Sequence, residues 1–281
     1  MTSMASELLT GVRQAGDAVR ARTSIRPRVG IVLGTGLGDF AQALSAEAVI
    51  PYADIPGFPV STVESHAGEL HLGRLAGRPV AIMKGRVHYY EGYSMQQVGF
   101  PVRVLRDLGC DTVILTSAVG GLNPDLSPGA ITVTHDHINL MGDSPLIGPN
   151  DDELGPRFPD MSEPYSRALI ALAERVTLAQ GWVLPRAVFV GLAGPALETA
   201  AEYRFLRWIG ADVVGMSVVP ETIVAVHGQQ RVLAFNVVTD ACLPDNLHPV
   251  DIPEILRIAA GASPRLLSAI TEVVRRLDEA D

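Results

Sequence analysis

The sequence predicts an α/β domain built on a largely parallel or mixed sheet. Three observations carry this. Short apolar, β-branched runs alternate with helical patterns along the chain. Several runs end in glycine-rich or polar turns, where α/β sheets place ligands. Of 281 residues, 47% are hydrophobic and 19% charged, enough for a sizeable core and against disorder or a charged helical rod.

The elements follow in order. Residues 5–21 read as an amphipathic helix, and Gly30–Gly34 as a buried strand. That strand stops at Gly34-Thr35-Gly36-Leu37-Gly38, after which a helix is expected. Glu69–Leu75 and Pro79–Lys84 form a hairpin around Ala76-Gly77. Ser94 and Gln97 have capping-box spacing and open a helix that runs to Gly109 with Pro101 inside it. Thr112–Thr116 is a strand that ends in Ser117-Ala118-Val119-Gly120-Gly121, and Ala130–Thr134 is another. Residues 139–162, rich in Gly, Pro and Asp, read as a long functional loop. Ala187–Gly191 is a strand before Gly194-Pro195, and Thr199 with Glu202 caps a helix over Ala200–Ile209. Asp212–Met216 is a strand, Glu221–His227 a short helix, Arg231–Thr239 a strand, and about Pro253–Leu277 the closing helix. No linker composition marks a boundary, so residues 1–281 are expected to form one domain with an N-terminal helix over about 1–25.

Charge narrows the partners. Lys plus Arg number 22 against 31 Asp plus Glu, a net charge of −9, which disfavours a nucleic-acid or anionic-membrane surface. Cys110 and Cys242 cannot make a disulfide framework, and His135-Asp136-His137 lacks further ligands at usual spacing, so no metal is expected. Met1 to Arg20 does not read as a signal peptide, and no run spans a bilayer, so the expected location is cytoplasmic.

Four strand ends carry candidate chemistry. The Gly34 loop reads either as a tight turn or as a cradle for an oxyanion, with the Thr35 hydroxyl as a donor. Asp39 breaks the dinucleotide glycine fingerprint, and no Gly-Lys-Ser/Thr follows. After the second hairpin strand, extended geometry puts Arg86, His88 and Tyr90 on one face, a set suited to an anion beside a hydroxylated group. Glu198 precedes a capped helix and can serve that helix or a polar heterocycle. Ser217 is either an N-cap or an anion donor, and Asp240 ends a strand. His66 is a lone histidine. These residues describe an α/β enzyme for a phosphate-sized anion and a polar organic substrate.

Taken together, the motifs resemble the trimeric purine nucleoside phosphorylase family, a group that includes the 5′-methylthioadenosine phosphorylases. They are Gly34-Thr35-Gly36-Leu37-Gly38, Ser65-His66-Ala67-Gly68, Gly85-Arg86-Val87-His88-Tyr89-Tyr90-Glu91-Gly92-Tyr93, Gly120-Gly121-Leu122-Asn123-Pro124, Asp136-His137-Ile138-Asn139-Leu140, Gly194-Pro195 with Glu198-Thr199, and Gly210-Ala211-Asp212 through Val219-Pro220-Glu221. The resemblance runs from about Gly30 to Asp240. It implies a central mixed, partly barrel-like sheet flanked by helices. It also implies reversible phosphorolysis of purine (deoxy)ribonucleosides to free base and α-(deoxy)ribose 1-phosphate, with phosphate as co-substrate, no cofactor, and a homotrimer in purine salvage. By resemblance, Thr35, His66, Arg86, His88, Ser217 and the Ala118 N–H hold phosphate. Tyr90 and Met216 meet ribose, Leu197 and Glu198 the base, and Phe158 reaches into a neighbouring subunit's site near the 139–162 loop. His88, Glu198 and Asp240 are the expected catalytic residues.

Three positions depart from the family pattern. Thr35 replaces the usual Ser and keeps the hydroxyl. Asp240 stands where enzymes for 6-oxopurines carry Asn, and an ionised Asp accepts only, which favours a 6-amino group, whereas the motif from Gly85 to Gly92 resembles the inosine/guanosine branch, so the base preference stays open. The family's His near the ribose 5′-hydroxyl aligns with Asp251-Ile252, with His248 a few residues earlier. A phosphorylase preferring adenosine or 5′-methylthioadenosine, and a non-catalytic nucleoside-binding relative, therefore remain as alternatives.

Overall fold

The computed structural model describes residues 4–37, 44–62 and 68–280. Their strands are β1 (Val29–Val32), β2 (Ser45–Pro51), β3 (Glu69–Leu75), β4 (Arg78–Lys84), β5 (Thr112–Gly121), β6 (Ile131–Asn139), β7 (Arg186–Gly191), β8 (Val213–Gly215) and β9 (Arg231–Ala241). The helices are α1 (Met4–Arg20), α2 (Met95–Asp107), α3 (Arg167–Ala179), α4 (Ala200–Trp208), α5 (Val219–His227) and α6 (Ile252–Arg275).

All described strands join one mixed sheet in the order β2-β3-β4-β1-β5-β8-β7-β6-β9. The last strand returns to pair with β5, so β5, β8, β7, β6 and β9 close on themselves as a barrel. The closing pair is parallel, from Thr112 opposite Arg231 to Gly121 opposite Ala241, with one irregularity between Val119 and Gly120. β1 runs parallel to both β4 and β5, so three chain segments leave the sheet at the same edge. These strands are buried on both faces, which is why they read as continuous apolar runs rather than alternating ones. α2 packs against α1 and α5, and α6 lies along α3 and β9. A smaller apolar cluster, Leu122, Val190, Tyr203, Leu206, Ala211, Val214 and Cys242, sits beneath α4.

The hairpin and both capping boxes stand as expected: Ser94 with Gln97 opens α2, and Thr199 with Glu202 opens α4. Several boundaries are corrected. β5 does not stop at Thr116 but continues through Gly121, because β8 and β9 supply pairing partners for the glycine end. β6 likewise runs on to Asn139 beside β7, and β9 runs on to Ala241. β8 is shorter than expected and excludes Asp212 and Met216. The structure adds β2 and α3, which the sequence reading does not name. The helix expected after the glycine loop falls on 38–43, outside the described residues.

Candidate active site

A cavity of about 460 Å³ lies at the ends of β1, β4, β5, β8 and β9. Thr35, Arg86, His88, Tyr90, Ala118, Leu197, Glu198, Met216, Ser217 and Asp240 all line it, so ten expected site residues from six parts of the chain meet in one place. His66 lies outside the described residues. Phe158 is 86% exposed and is not part of this cavity.

One end of the cavity is built from backbone and buried charge. The Thr116 hydroxyl accepts from Gly34 N–H at 2.9 Å and lies 3.1 Å from the Val32 carbonyl, to which it donates. A Cβ on Gly34 would sit 2.7 Å from the Thr116 carbonyl oxygen, so only glycine lets the loop pass this close to β5. Arg86 is 3% exposed; its Nε lies 3.2 Å from Glu221 Oε1, and an Nη donates to the Val32 carbonyl. The other Glu221 oxygen accepts from Val218 N–H at 2.9 Å. The Ser217 and Ser117 hydroxyls are 3.0 Å apart.

Ser217 is not an N-cap: that position is Val218, at φ 65°, ψ −53°. Val219 N–H donates to the Ser217 carbonyl at 2.7 Å, closing a γ-turn with positive φ at a β-branched residue. Such backbone strain persists only where surrounding structure enforces it, and here the Glu221 carboxylate grips the turn.

The expected extended face over Arg86, His88 and Tyr90 is also corrected. Residues 89–91 form a 3₁₀ turn, because Glu91 folds back to accept from His88 N–H at 2.7 Å. His88 and Tyr90 still share the cavity wall, through ring stacking at 4.8 Å and 13°. Glu91 also lies 3.1 Å from His88 Nδ1 and accepts from Thr62. Burial works to raise the Glu91 carboxyl, but the His88 and Thr62 hydrogen bonds outweigh it and bring it down to about 2.

The opposite end is lined by side chains. Glu198 is half-buried, and its carboxyl is raised, first by burial and then by the nearby Glu202 and Asp240 charges, against a lowering hydrogen bond from Tyr203. Asp240 Oδ1 accepts from the Thr239 hydroxyl at 2.8 Å, and Oδ2 from the Cys242 thiol at 3.1 Å. The cavity continues past Glu198 and Asp240 into a second space of about 620 Å³ under residues 243–251, where His248 stands. Val250, Ile252 and Ile255 form an apolar side wall. Tyr203, Cys242, Thr239, Ser117 and Glu221 are additions to the expected set. Glu221 and Ser117 lay within motifs already singled out; Cys242 and Thr239 flank Asp240 in sequence and were legible only as its neighbours.

His137 does not reach the cavity; its Nδ1 lies 3.0 Å from the buried Tyr165 hydroxyl, and burial lowers its pKa. Among the described residues, no group of three or more His, Cys, Asp or Glu could hold a metal ion. No described helix is long and apolar enough to cross a membrane.

Comparison with known proteins agrees over most of the chain. A family model described as "Phosphorylase superfamily" matches residues 28–275. "Purine nucleoside phosphorylase 1" of Geobacillus stearothermophilus is 44% identical over 268 residues, covering 95% of this chain and 98% of that protein. A solved schistosoma purine nucleoside phosphorylase in complex with hypoxanthine superposes with a TM-score of 0.91 at 37% identity, covering 96% of this chain and 98% of that one. The Schistosoma mansoni enzyme in complex with inosine gives 0.90 at 36% identity, over 95% and 96% of the two chains.

Proposed function

This chain belongs to the purine nucleoside phosphorylases of the phosphorylase superfamily, and from that membership and the cavity we propose how it works as a pentosyltransferase. Inorganic phosphate cleaves a purine (deoxy)ribonucleoside to free base and α-(deoxy)ribose 1-phosphate. One observation carries the residue assignment: a single cavity joins a buried, arginine-centred end to a carboxylate-lined end.

Phosphate sits against Arg86, His88, Thr35, Ser217 and the Ala118 N–H. A phosphate oxygen attacks C1′, and the C1′–N9 bond breaks with its electron pair going to the purine, which takes up a proton. Positive charge develops on the sugar and negative charge on the departing base. The phosphate dianion beneath the ribose stabilises the first, and donors along the base edge the second. Glu221 holds Arg86 in place before substrate arrives, so little reorganisation is needed during the reaction. Tyr90 and Met216 contact ribose, Leu197 covers the base, and Glu198 and Asp240 face its edge. His66 joins the phosphate mouth. No side-chain nucleophile and no cofactor enter this scheme.

Oligomer and location belong to the same proposal. Phe158 is exposed on the long loop beside Arg157, whose guanidinium lies 5.8 Å from its ring centre. It reaches a neighbouring copy's site in a homotrimer, and each chain of 281 residues acts as one cytoplasmic domain. Base release from inosine and adenosine, with and without phosphate, tests the reading: release must require phosphate.

A second substrate has a specific observation behind it. The wall of Val250, Ile252 and Ile255 offers no hydrogen-bonding side chain where the resemblance places a histidine for the 5′-hydroxyl. An apolar 5′ substituent fits such a wall, and kcat/KM for 5′-methylthioadenosine against adenosine tests it.

A further inference from the structure

The long loop after β6 carries Phe158, whose ring is 86% exposed. An exposed aromatic serves a site best when the chain beneath it is already ordered, because ordering it on contact costs conformational entropy. The segment just before Phe158 is held by a run of hydrogen bonds that the reaction scheme does not use. Arg103 of α2 and His227, the last residue of α5, are both buried, and Arg103 Nη1 lies 3.1 Å from His227 Nδ1. A guanidinium only donates, so Nδ1 is the bare nitrogen and Nε2 carries the ring proton. Nε2 lies 3.2 Å from Asn150 Oδ1 and donates to it. This orients the Asn150 amide, whose nitrogen donates to the Gly155 carbonyl at 3.0 Å and to Asp152 Oδ1 at 2.8 Å.

Three further contacts hold the same segment. Arg106 donates to the Glu153 and Leu154 carbonyls at 3.0 and 2.8 Å. Arg157 donates to the Gly148 and Leu146 carbonyls at 2.7 and 3.3 Å. A Cβ on Gly155 would overlap the His227 carbonyl oxygen, so the loop passes the end of α5 this closely only as glycine. Burial, with the Arg103 and Arg106 charges, brings His227 down to about 4, so the ring is neutral near pH 7, as its two hydrogen-bonding roles require. Arg103, His227 and Asn150 do not line the catalytic cavity.

We propose that Arg103, His227 and Asn150 are positioning residues that tie residues 150–157 to α2 and α5, so that each chain presents Phe158 already in place for the nucleoside in a neighbouring copy's site. This rests on the reading above, in which Phe158 crosses to that site. Glu221, in the first turn of α5, holds Arg86. One buried helix therefore supports both the anion end of its own site and the arm offered to the next.

The test is a set of double-mutant cycles on steady-state phosphorolysis, with nucleoside KM, phosphate KM and kcat measured separately and thermal unfolding recorded for each variant. Phe158→Ala should raise nucleoside KM about tenfold, as one aromatic contact is lost. Asn150→Ala cuts the tie to the loop and should raise nucleoside KM about fivefold, leaving phosphate KM and the unfolding temperature unchanged. His227→Asn keeps an acceptor for Arg103 but is too short to reach Asn150, so it should reproduce the effect without unpairing the buried guanidinium. Added to Phe158→Ala, either substitution should change nucleoside KM less than about twofold, because its effect passes through the ring. Full multiplication of the two effects, an equal rise in phosphate KM, or an unmoved nucleoside KM in both Asn150→Ala and His227→Asn overturns the proposal. An unchanged nucleoside KM in Phe158→Ala overturns the crossing of Phe158 and this inference with it. Absence of phosphate-dependent release in the wild type overturns the functional reading itself.

Discussion

The two ends of the cavity are built by different means. At the anion end, the elements are backbone approach at Gly34, a buried Arg86–Glu221 pair and a strained turn at Val218. At the base end they are side chains, with Asp240 accepting from Thr239 and Cys242 and half-buried Glu198 in the same wall, beside an opening under residues 243–251. Removing either member of the Arg86–Glu221 pair takes the opposite charge away from the other in a buried setting. On the function proposed above, the contrast separates a fixed anion end from an end whose side chains meet the base.

The sharpest way to break this comparison is Arg86→Ala, expected to lower kcat/KM about 10²–10³-fold with either nucleoside. Near-native turnover with unchanged phosphate KM would remove Arg86 from the anion end. Glu198→Ala should cost less, about 10- to 100-fold, as one charge-assisted hydrogen bond to the base is lost. Its effect should differ between inosine and adenosine, whereas that of Arg86→Ala should not. Glu221→Ala probes stability rather than substrate. Removing one member of a buried ion pair should destabilise the fold by about 3 kcal/mol in urea unfolding. A change confined to activity would mean the pair orients Arg86 without supporting the fold.

Titration sharpens the same contrast. Glu198 is raised, so as pH climbs through its shifted value the carboxyl ionises and becomes an acceptor. kcat/KM for inosine should therefore rise with pH across that range while that for adenosine falls. Parallel profiles would show that Glu198 does not read the base edge. At the anion end, Glu91 sits at about 2, below the unfolded value of about 4.3. Its contribution to stability is complete above the unfolded value and is lost as pH falls towards 2. The smallest expected effect is that Glu91→Gln flattens this part of the stability profile, as measured by thermal unfolding between about pH 5 and pH 2.

Local rules carried the reading wherever the cause was local. The Ala76-Gly77 hairpin and the boxes at Ser94 and Thr199 depend on residues within a turn of one another, and the structure has them as expected. β2 gave no such signal. Its residues are mostly exposed and lack alternation, and only pairing with β3 makes them a strand. Helix α3 carries a Ser166 cap and a buried stripe at Leu169, Ile170, Ala173 and Val176, a pattern that was there to be found. The extended face over Arg86, His88 and Tyr90 failed for a local reason: the Glu91 side chain competes for the His88 backbone and curls the chain.

By itself, the sequence determined the α/β class, most of the strand and helix order, and the residue types that line the cavity. These follow from periodicity, capping and turn chemistry, all short-range. Tertiary structure alone decided that β9 returns to β5 and closes the barrel, and that Glu221 backs Arg86 from 135 residues away. Such pairings arise from the mutual burial of segments distant in the chain, where the gain lies in desolvated contacts that no local pattern records.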